Sequence, residues 1–585
     1  MKSSTASFIP ARLATLAMLG AVLLGAGSAS ATTYYWDTDG DTPGFGNTAG
    51  TWGTSNFWTS TEGGGSPHSE VTATLVDDTV NFGSASLALG ATAANVGVVA
   101  GGVTVNSITF GLNQGATAIT LGTAGKTITL GGTTPTITVN NASDTISSVL
   151  AGTSLDKAGT GVLILTGTNT YSGTTTINAG KLQIGNNGTT GTLGSGSVLN
   201  NDRLSFFRTD LTTFNSTMTG TGTLEVVKGT LRLASGANVT QANLSGSTGG
   251  NAGLEVQSGA SLTVSNKFLL GISGGSSGTV AQSGGTVNLN STVAGDIQIT
   301  PTFNSHSKYN LSGGTLNATG TAMIVGAWFE GTLDVSGGTA NLRGIQFCTG
   351  SGTRAAYLNL SGTGILNIGV GGITDGSTSA NTMTMNFSGG TLGALANWTT
   401  SGNQMNNQKI TLSNTNTIDT TGGNITLTPV LTGTGGITKA GTGTLTFSGT
   451  NTYTGVTTIT AGTLALGTNN ALPSASALSI GSATLNTATY TNTLGTLDIT
   501  GSAVITLGTG GKLAFADSSA KTWSGGTLTL TGVFVNSSSV RFGTSASGLT
   551  PTQKEKITFN GMRMTLDSNG YVVVFVPVGT LVSFF

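Results

Sequence analysis

Only a few side chains in this chain are of types that do chemistry, and their spacing limits what that chemistry could be. Asp37-Thr38-Asp39-Gly40-Asp41 alternates oxygen ligands like the start of a calcium loop. Thr42 and Thr48 stand where such a loop wants its glycine and its bidentate glutamate, so an acidic turn is the plainer reading. Calcium at Asp37, Asp39 and Asp41 stays open. Glycoside hydrolysis needs two carboxylates roughly 5 to 9.5 Å apart. Asp77-Asp78 is an adjacent pair, but consecutive strand residues face opposite sides. Glu330 and Asp334 could share a strand face, and Asp334 could meet a polar group near Asn359 one coil away. Asp144, Asp156, Glu225, Glu255, Asp296, Asp375, Asp419, Asp498 and Asp517 stand singly and read as solvated charges.

The only histidines, His68 and His306, lie in Gly/Ser/Pro and Asn/Ser contexts and read as exposed loop residues. A triad or a zinc site needs more partners than that. The lone Cys348 reads as a small buried apolar residue. Gly125-Lys126-Thr127 is like the end of a phosphate loop, but Thr120 replaces the first glycine and Ile128-Thr129-Leu130 continues as a strand. No catalytic, cofactor-binding or metal-binding residue is assigned, and no cofactor is expected.

The elements that would position these groups are strands. Charged residues are 7% of the chain, against roughly 25% in ordinary soluble domains. Glycine is 94 of 585 residues, and Thr, Val and Ile favour strands over helices. The net charge of −1 gives no footprint for nucleic acid. The one basic grouping, Arg203, Arg208, Lys228 and Arg232, is diluted by Asp202, Asp210 and Glu225. Residues 1–31 read as an export signal: Lys2 and Arg12, then the apolar stretch Leu13–Gly27, then Ala29-Ser30-Ala31 as cleavage site. No integral membrane segment is expected after its removal.

One passage occurs twice. Lys157–Gly185 and Lys439–Gly467 agree at 19 positions, including Lys-Ala-Gly-Thr-Gly, Gly-Thr-Asn-Thr-Tyr, Thr-Thr-Ile and Ala-Gly-x-Leu. It contains no group with catalytic chemistry beyond a lysine. Ser-Gly-Gly-Thr, or Ser-Gly-Thr-Gly at one site, recurs from Ser283, Ser312, Ser336, Ser361 and Ser388, at similar but uneven intervals. An interval of roughly 25 residues suits one coil of a parallel β-helix, because stacked coils share a core that no single coil can enclose. The expected fold is all-β, a single-stranded parallel β-helix rod with atypical capping ends and about 18 coils of ~25 residues. Leu163, Ile177 and Leu182 should point inward, matched by Leu445, Ile459 and Leu464.

Residues 32–90 form an aromatic-rich N-terminal segment with Trp36, Trp52 and Trp58, either a cap or an aromatic carbohydrate-binding surface. The solenoid spans 91–548, with the repeats at 149–185 and 430–467. Residues 549–585 are a strand-rich cap or a remnant sorting region.

The passage Lys-Ala-Gly-Thr-Gly…Gly-Thr-Asn-Thr-Tyr…Thr-Thr-Ile…Ala-Gly-x-Leu closely resembles the autotransporter-associated β-strand repeat. That resemblance implies an exported bacterial β-helix passenger, of a kind mostly described as adhesins and surface structures. The membrane barrel that ends an autotransporter has no room after Gly548. The tail is similar to the region before a Pro-Glu-Pro sorting signal, but Val576-Pro577 runs on into Val578. Anchoring therefore stays open, as does oligomeric state. The expected function is a secreted or cell-surface structural, adhesin-like solenoid without catalytic activity. The alternative is a polysaccharide-binding or polysaccharide-degrading β-helix. Expected partners are surface polysaccharide or other cell-surface components. The expected location is extracellular or on the outer cell surface, with the periplasm as the other exported compartment.

Overall fold

Alternation of one apolar and one polar residue runs through nearly every strand, and it builds a rod. The computed structural model describes residues 31–577 except 39–49, 55–56, 65–67, 70–73, 84–93, 112–117, 247–249, 303, 350–354, 377–381, 403–404, 406–407 and 525. The export signal, apart from residue 31, lies outside the described residues, as do Asp39 and Asp41. Strands hold 56% and helix 2%, in a parallel β-solenoid of about 18 turns.

Each coil has three faces. The first stacks from Thr33–Trp36 through Thr79–Phe82 and Ser107–Phe110 to Leu497–Ile499. The second runs from Gly50–Trp52 to Ile557–Phe559. The third starts at Val103–Val105 and ends at Val540–Phe542. Parallel register leaves like above like, so inward residues form columns. One column reads Met218, Val239, Leu262, Val287, Leu316, Ala340, Leu366, Leu392, Ile418, then Lys439, Ile459, Ile480 and Ile499. Leu163, Ile177, Leu182, Leu445, Ile459 and Leu464 are all fully buried, as expected.

Coil length varies along the rod. Leu155 pairs with Thr175 and Ile437 with Thr457, the same short step in both repeats. In the middle, Thr286 pairs with Thr315, Thr315 with Thr339 and Thr339 with Ile365. Those steps are longer by several positions and differ from one another. The Ser-Gly-Gly-Thr turns are corners between the third and first faces. Gly338 has φ +65, and a Cβ there would lie 2.4 Å from the Gly314 carbonyl oxygen of the coil before. A glycine at positive φ lets each corner stack, at Gly362 with φ +58 where Thr363 replaces the second glycine.

Both ends are closed. Trp36, Trp52 and Trp58 are fully buried and pack edge-on, Trp36 on Trp58 at 4.9 Å and Trp52 on Trp58 at 5.5 Å. Trp36 and Trp52 sit on strands of the first coil itself, so these three rings are core, and their reading as a carbohydrate-binding surface is overturned. At the other end Pro551–Lys554 makes one helical turn with a capping box from Thr550 and Gln553. Gln553 Nε2 donates to the carbonyls of Ser518 and Lys521, and Trp523 Nε1 to that of Leu497. A hairpin, Ile557–Phe559 with Met562–Leu566, and the strand Val572–Val574 finish the cap.

Candidate functional surface

The residues shared by the two repeats turn inward and satisfy backbone. Lys157 and Lys439 are fully buried. Lys157 Nζ donates to the carbonyls of Ala158, Gly159 and Ala179 at 2.8, 2.7 and 2.9 Å. Lys439 Nζ does the same to Ala440, Gly441 and Ala461 at 2.9, 2.8 and 3.0 Å. Three carbonyls match the three donors of an ammonium. Burial pushes each lysine down to about 8, opposed by the carboxylates of Asp202 and Asp419 respectively.

On the third face of these short coils no strand forms at Asn169 or Asn451, and the asparagines stand in for it. Asn169 accepts from the Leu150 N–H at 2.8 Å and donates to Thr192 at 2.6 Å. Asn451 accepts from Leu431 at 2.8 Å and donates to Ala471 at 2.7 Å. The buried hydroxyls of Tyr171 and Tyr453 bond Thr175 and Thr457. Each of these shared polar side chains is occupied inside the rod, so none is presented to a substrate.

Three sequence readings need correction, and Asp375, also buried, is one of them. Asp144 is not a solvated charge. It is fully buried and accepts from the Ile119 N–H and from Asn141 Nδ2, while its Oδ2 has no partner among the described residues. Burial raises its carboxyl to about 6, against the two hydrogen bonds. Glu225 is buried too and pairs with Lys181 at 3.1 Å. Asp144 faces the interior, stacked under the inward Leu163, a polar residue where alternation announces an apolar one, whereas Glu225, between the inward Leu224 and Val226, lies on the outward side and is covered there.

The other sequence candidates do not converge. Asp78 is buried and accepts from the N–H groups of Thr32 and Leu75, while Asp77 is exposed. Asp37 is buried and its N–H donates to the Phe57 carbonyl. His68 heads a two-residue strand antiparallel to Trp58–Thr59. Lys126 sits in a tight turn closed on Thr123, and Cys348 is buried with φ +50. Arg208 pairs with Asp210, Lys228 with Asn187 and Arg232 with Glu255. Among the described residues no three His, Cys, Asp or Glu side chains gather as a metal site would need.

What faces water is ordered and largely neutral. Asn317 donates to Asn288, Asn341 to Asn317 and Asn367 to Asn341, each at 2.9 Å, in a ladder up the first face. On the third face Asn386 donates to Asn359, and Asn359 to Asp334. Asp334 thus meets Asn359, as the coil spacing suggests, and also pairs with Lys308. Glu330 and Asp334 do share the outward face, but Glu330 lies 3.6 Å from His306, so each carboxylate has its own basic neighbour. His306 packs edge-on against Phe329 at 5.0 Å, beside the exposed Trp328.

This is a β-solenoid whose outward side presents amide ladders and isolated ion pairs. It carries the passenger-associated-transport-repeat twice, at 155–184 and 437–466, which are the duplicated passages. Over 70 residues it is 44% identical to the adhesin BmaC autotransporter of Brucella suis biovar 1 (strain 1330), a match covering 12% of this chain. The match spans about 2% of that much longer protein. No solved structure matches the chain significantly. The repeats and this relative indicate an exported, cell-surface, passenger-like chain. Among the described residues no helix is long and apolar enough to cross a membrane.

Proposed function

We propose that this protein is a non-enzymatic, adhesin-like rod that works by presenting its outward faces at the cell surface. The observation that carries the reading is the inward use of the repeat's lysine, asparagine and tyrosine, which hold the rod together. A catalytic groove needs several ionisable groups on one wall, tuned by burial and neighbours. Here Asp210, Glu255, Glu330 and Asp334 each have a basic neighbour, and Asp419 and Asp517 accept from nearby hydroxyls. The longer middle coils, with their amide ladders and the cluster of His306, Lys308, Glu330 and Asp334, are the surface on which binding is placed. The partner is a cell-surface component. The mature chain, residues 32–585, should bind cells or matrix when immobilised on beads, and should release no reducing sugar or unsaturated product from a polysaccharide panel. Turnover that disappears with one carboxylate substitution overturns the reading.

A further inference from the structure

At three junctions a third-face leucine N–H donates to an asparagine carboxamide of the next coil. These are Leu150 to Asn169 at 2.8 Å, Leu431 to Asn451 at 2.8 Å and Leu472 to Asn492 at 3.1 Å. The coil leaving the first repeat breaks the pattern. Asn169 Nδ2 donates to the Thr192 carbonyl as Asn451 Nδ2 does to that of Ala471, so Leu193 stands where Leu472 does. Yet among the described residues the Leu193 N–H has no hydrogen bond, and none joins residues 192–196 to residues 211–216.

The asparagine's place is taken by Thr212. Asn451 precedes the first-face Thr457 by six positions, and Thr212 precedes the first-face Met218 by six. Thr212 Oγ1 is buried without a partner among the described residues. Between the two lies a cavity of about 230 Å³, lined by Leu193, Ser195, Phe206, Leu211, Thr212 and Phe214 among others. Arg208 closes one side. Its guanidinium is spent on Asp210 and on the carbonyls of Thr189 and Gly191, so it offers the cavity no unpaired charge.

We propose that this cavity binds the acetamido group of an N-acetylated sugar. In the other three junctions a carboxamide oxygen fills the corresponding position, so the missing chemistry is a neutral amide acceptor. An acetamido carbonyl accepts from the N–H of the half-buried Leu193 and from the Thr212 hydroxyl, which otherwise stays buried and unpaired at a cost. Its methyl packs on Phe206 and Phe214. Ser195, Thr213 and Ser216, which also line the cavity, offer hydroxyls to the sugar ring. The volume is below the roughly 300 Å³ where pockets for whole drug-sized ligands begin, which suits one substituent of a sugar. An asparagine side chain from a protein partner brings the same acceptor but no methyl for the phenylalanine wall. The inference concerns the mature chain in solution and stands apart from its attachment to any surface.

The test is saturation-transfer NMR on the full mature chain with three probes: N-acetylglucosamine, glucose and the tripeptide Gly-Asn-Gly. The expected result is saturation of the N-acetylglucosamine methyl and none of glucose. Thr212→Asn, which supplies the carboxamide internally, should weaken that binding by at least about tenfold. Should Thr212→Asn fail to fold, Thr212→Val removes the hydroxyl at nearly constant volume and must weaken binding. Silence with all three probes, equal response to glucose, a stronger response to Gly-Asn-Gly, or binding unchanged in the variants would each overturn the assignment.

Discussion

The two repeats and the middle coils solve the same problem in opposite ways. A repeat coil makes the shorter turn and lacks a strand on its third face, so side chains must satisfy backbone that no ladder reaches. Lysine, asparagine and tyrosine are turned inward for that purpose. A middle coil makes a longer turn and has continuous third-face strands such as His306–Ala318 and Ala355–Asp375. There glycine makes the corners and many polar side chains face outward, while the buried Gln282 still donates to the carbonyls of Gly285 and Thr315 and accepts from Tyr309. Short turns do not by themselves remove the third-face strand, since Thr491–Leu494 pairs with Lys512–Phe515 across a similarly short step. The duplicated passage draws the eye in the sequence, yet the middle coils are where binding chemistry has room to vary.

The sharpest break of this comparison is a charge in the repeat interior. Ile177→Asp, and its counterpart Ile459→Asp, should each destabilise by about 4 kcal/mol or more through a buried, unpaired carboxylate. Unequal losses in urea unfolding would show that the two copies are not equivalent coils. Next comes the lysine clamp. Lys157→Met or Lys439→Met keeps the stem but strips three carbonyls of their donors, for an expected loss of about 3 kcal/mol. Hydrogen exchange should localise the loosening to Ala158–Gly159 and Ala179, or to Ala440–Gly441 and Ala461. Unchanged exchange would mean that water replaces the ammonium.

In the middle coils the matching lesion is steric. Gly338→Ala places a Cβ against the Gly314 carbonyl at φ +65, and should cost about 2 to 3 kcal/mol. A variant as stable as the parent would refute the stacked-corner account.

Asp144 gives a pH test of the buried polar class. Its folded carboxyl lies at about 6 against an ordinary 3.8, so between those values the folded chain holds a proton that the unfolded chain has lost. Its contribution is full below about 3.8, falls as pH rises, and is gone above about 6, a swing of roughly 2 to 3 kcal/mol. Asp144→Asn should remove that slope from the unfolding midpoint between about pH 4 and about pH 6.5. A slope that survives would place the titrating group elsewhere. The smallest effect belongs to the outward ladder. Asn341→Ala, with neighbours Asn317 and Asn367 still half-exposed to water, should cost under about 1 kcal/mol by thermal unfolding. A loss as large as that from the lysines would erase the distinction between the two regions.

The sequence was most legible where one period governed. The five recurrent corner motifs count out the middle coils, and the alternation around Leu163, Ile177 and Leu182 identifies the inward side. It was less legible where a polar residue sits at an inward position. Nothing along the chain marks Lys157 as buried; the neighbouring coil brings the Ala179 carbonyl to it. Asp144 misleads for the same reason. The tryptophans show the converse: their clustering signals a special segment, but only packing against Phe82 and one another separates buried core from a binding platform.

By itself the sequence determined the class of structure. Period-two alternation, glycine-rich corners at coil spacing and a duplicated passage leave a parallel solenoid as the arrangement that buries one apolar face per strand. Tertiary structure decided everything that depends on which residues of different coils meet. Stacking brings together groups a whole coil apart in sequence, as with Asp334 and Asn359 or Leu431 and Asn451. Coil length varies from turn to turn, so the spacing read along the chain suggested the first of these pairs and missed the second.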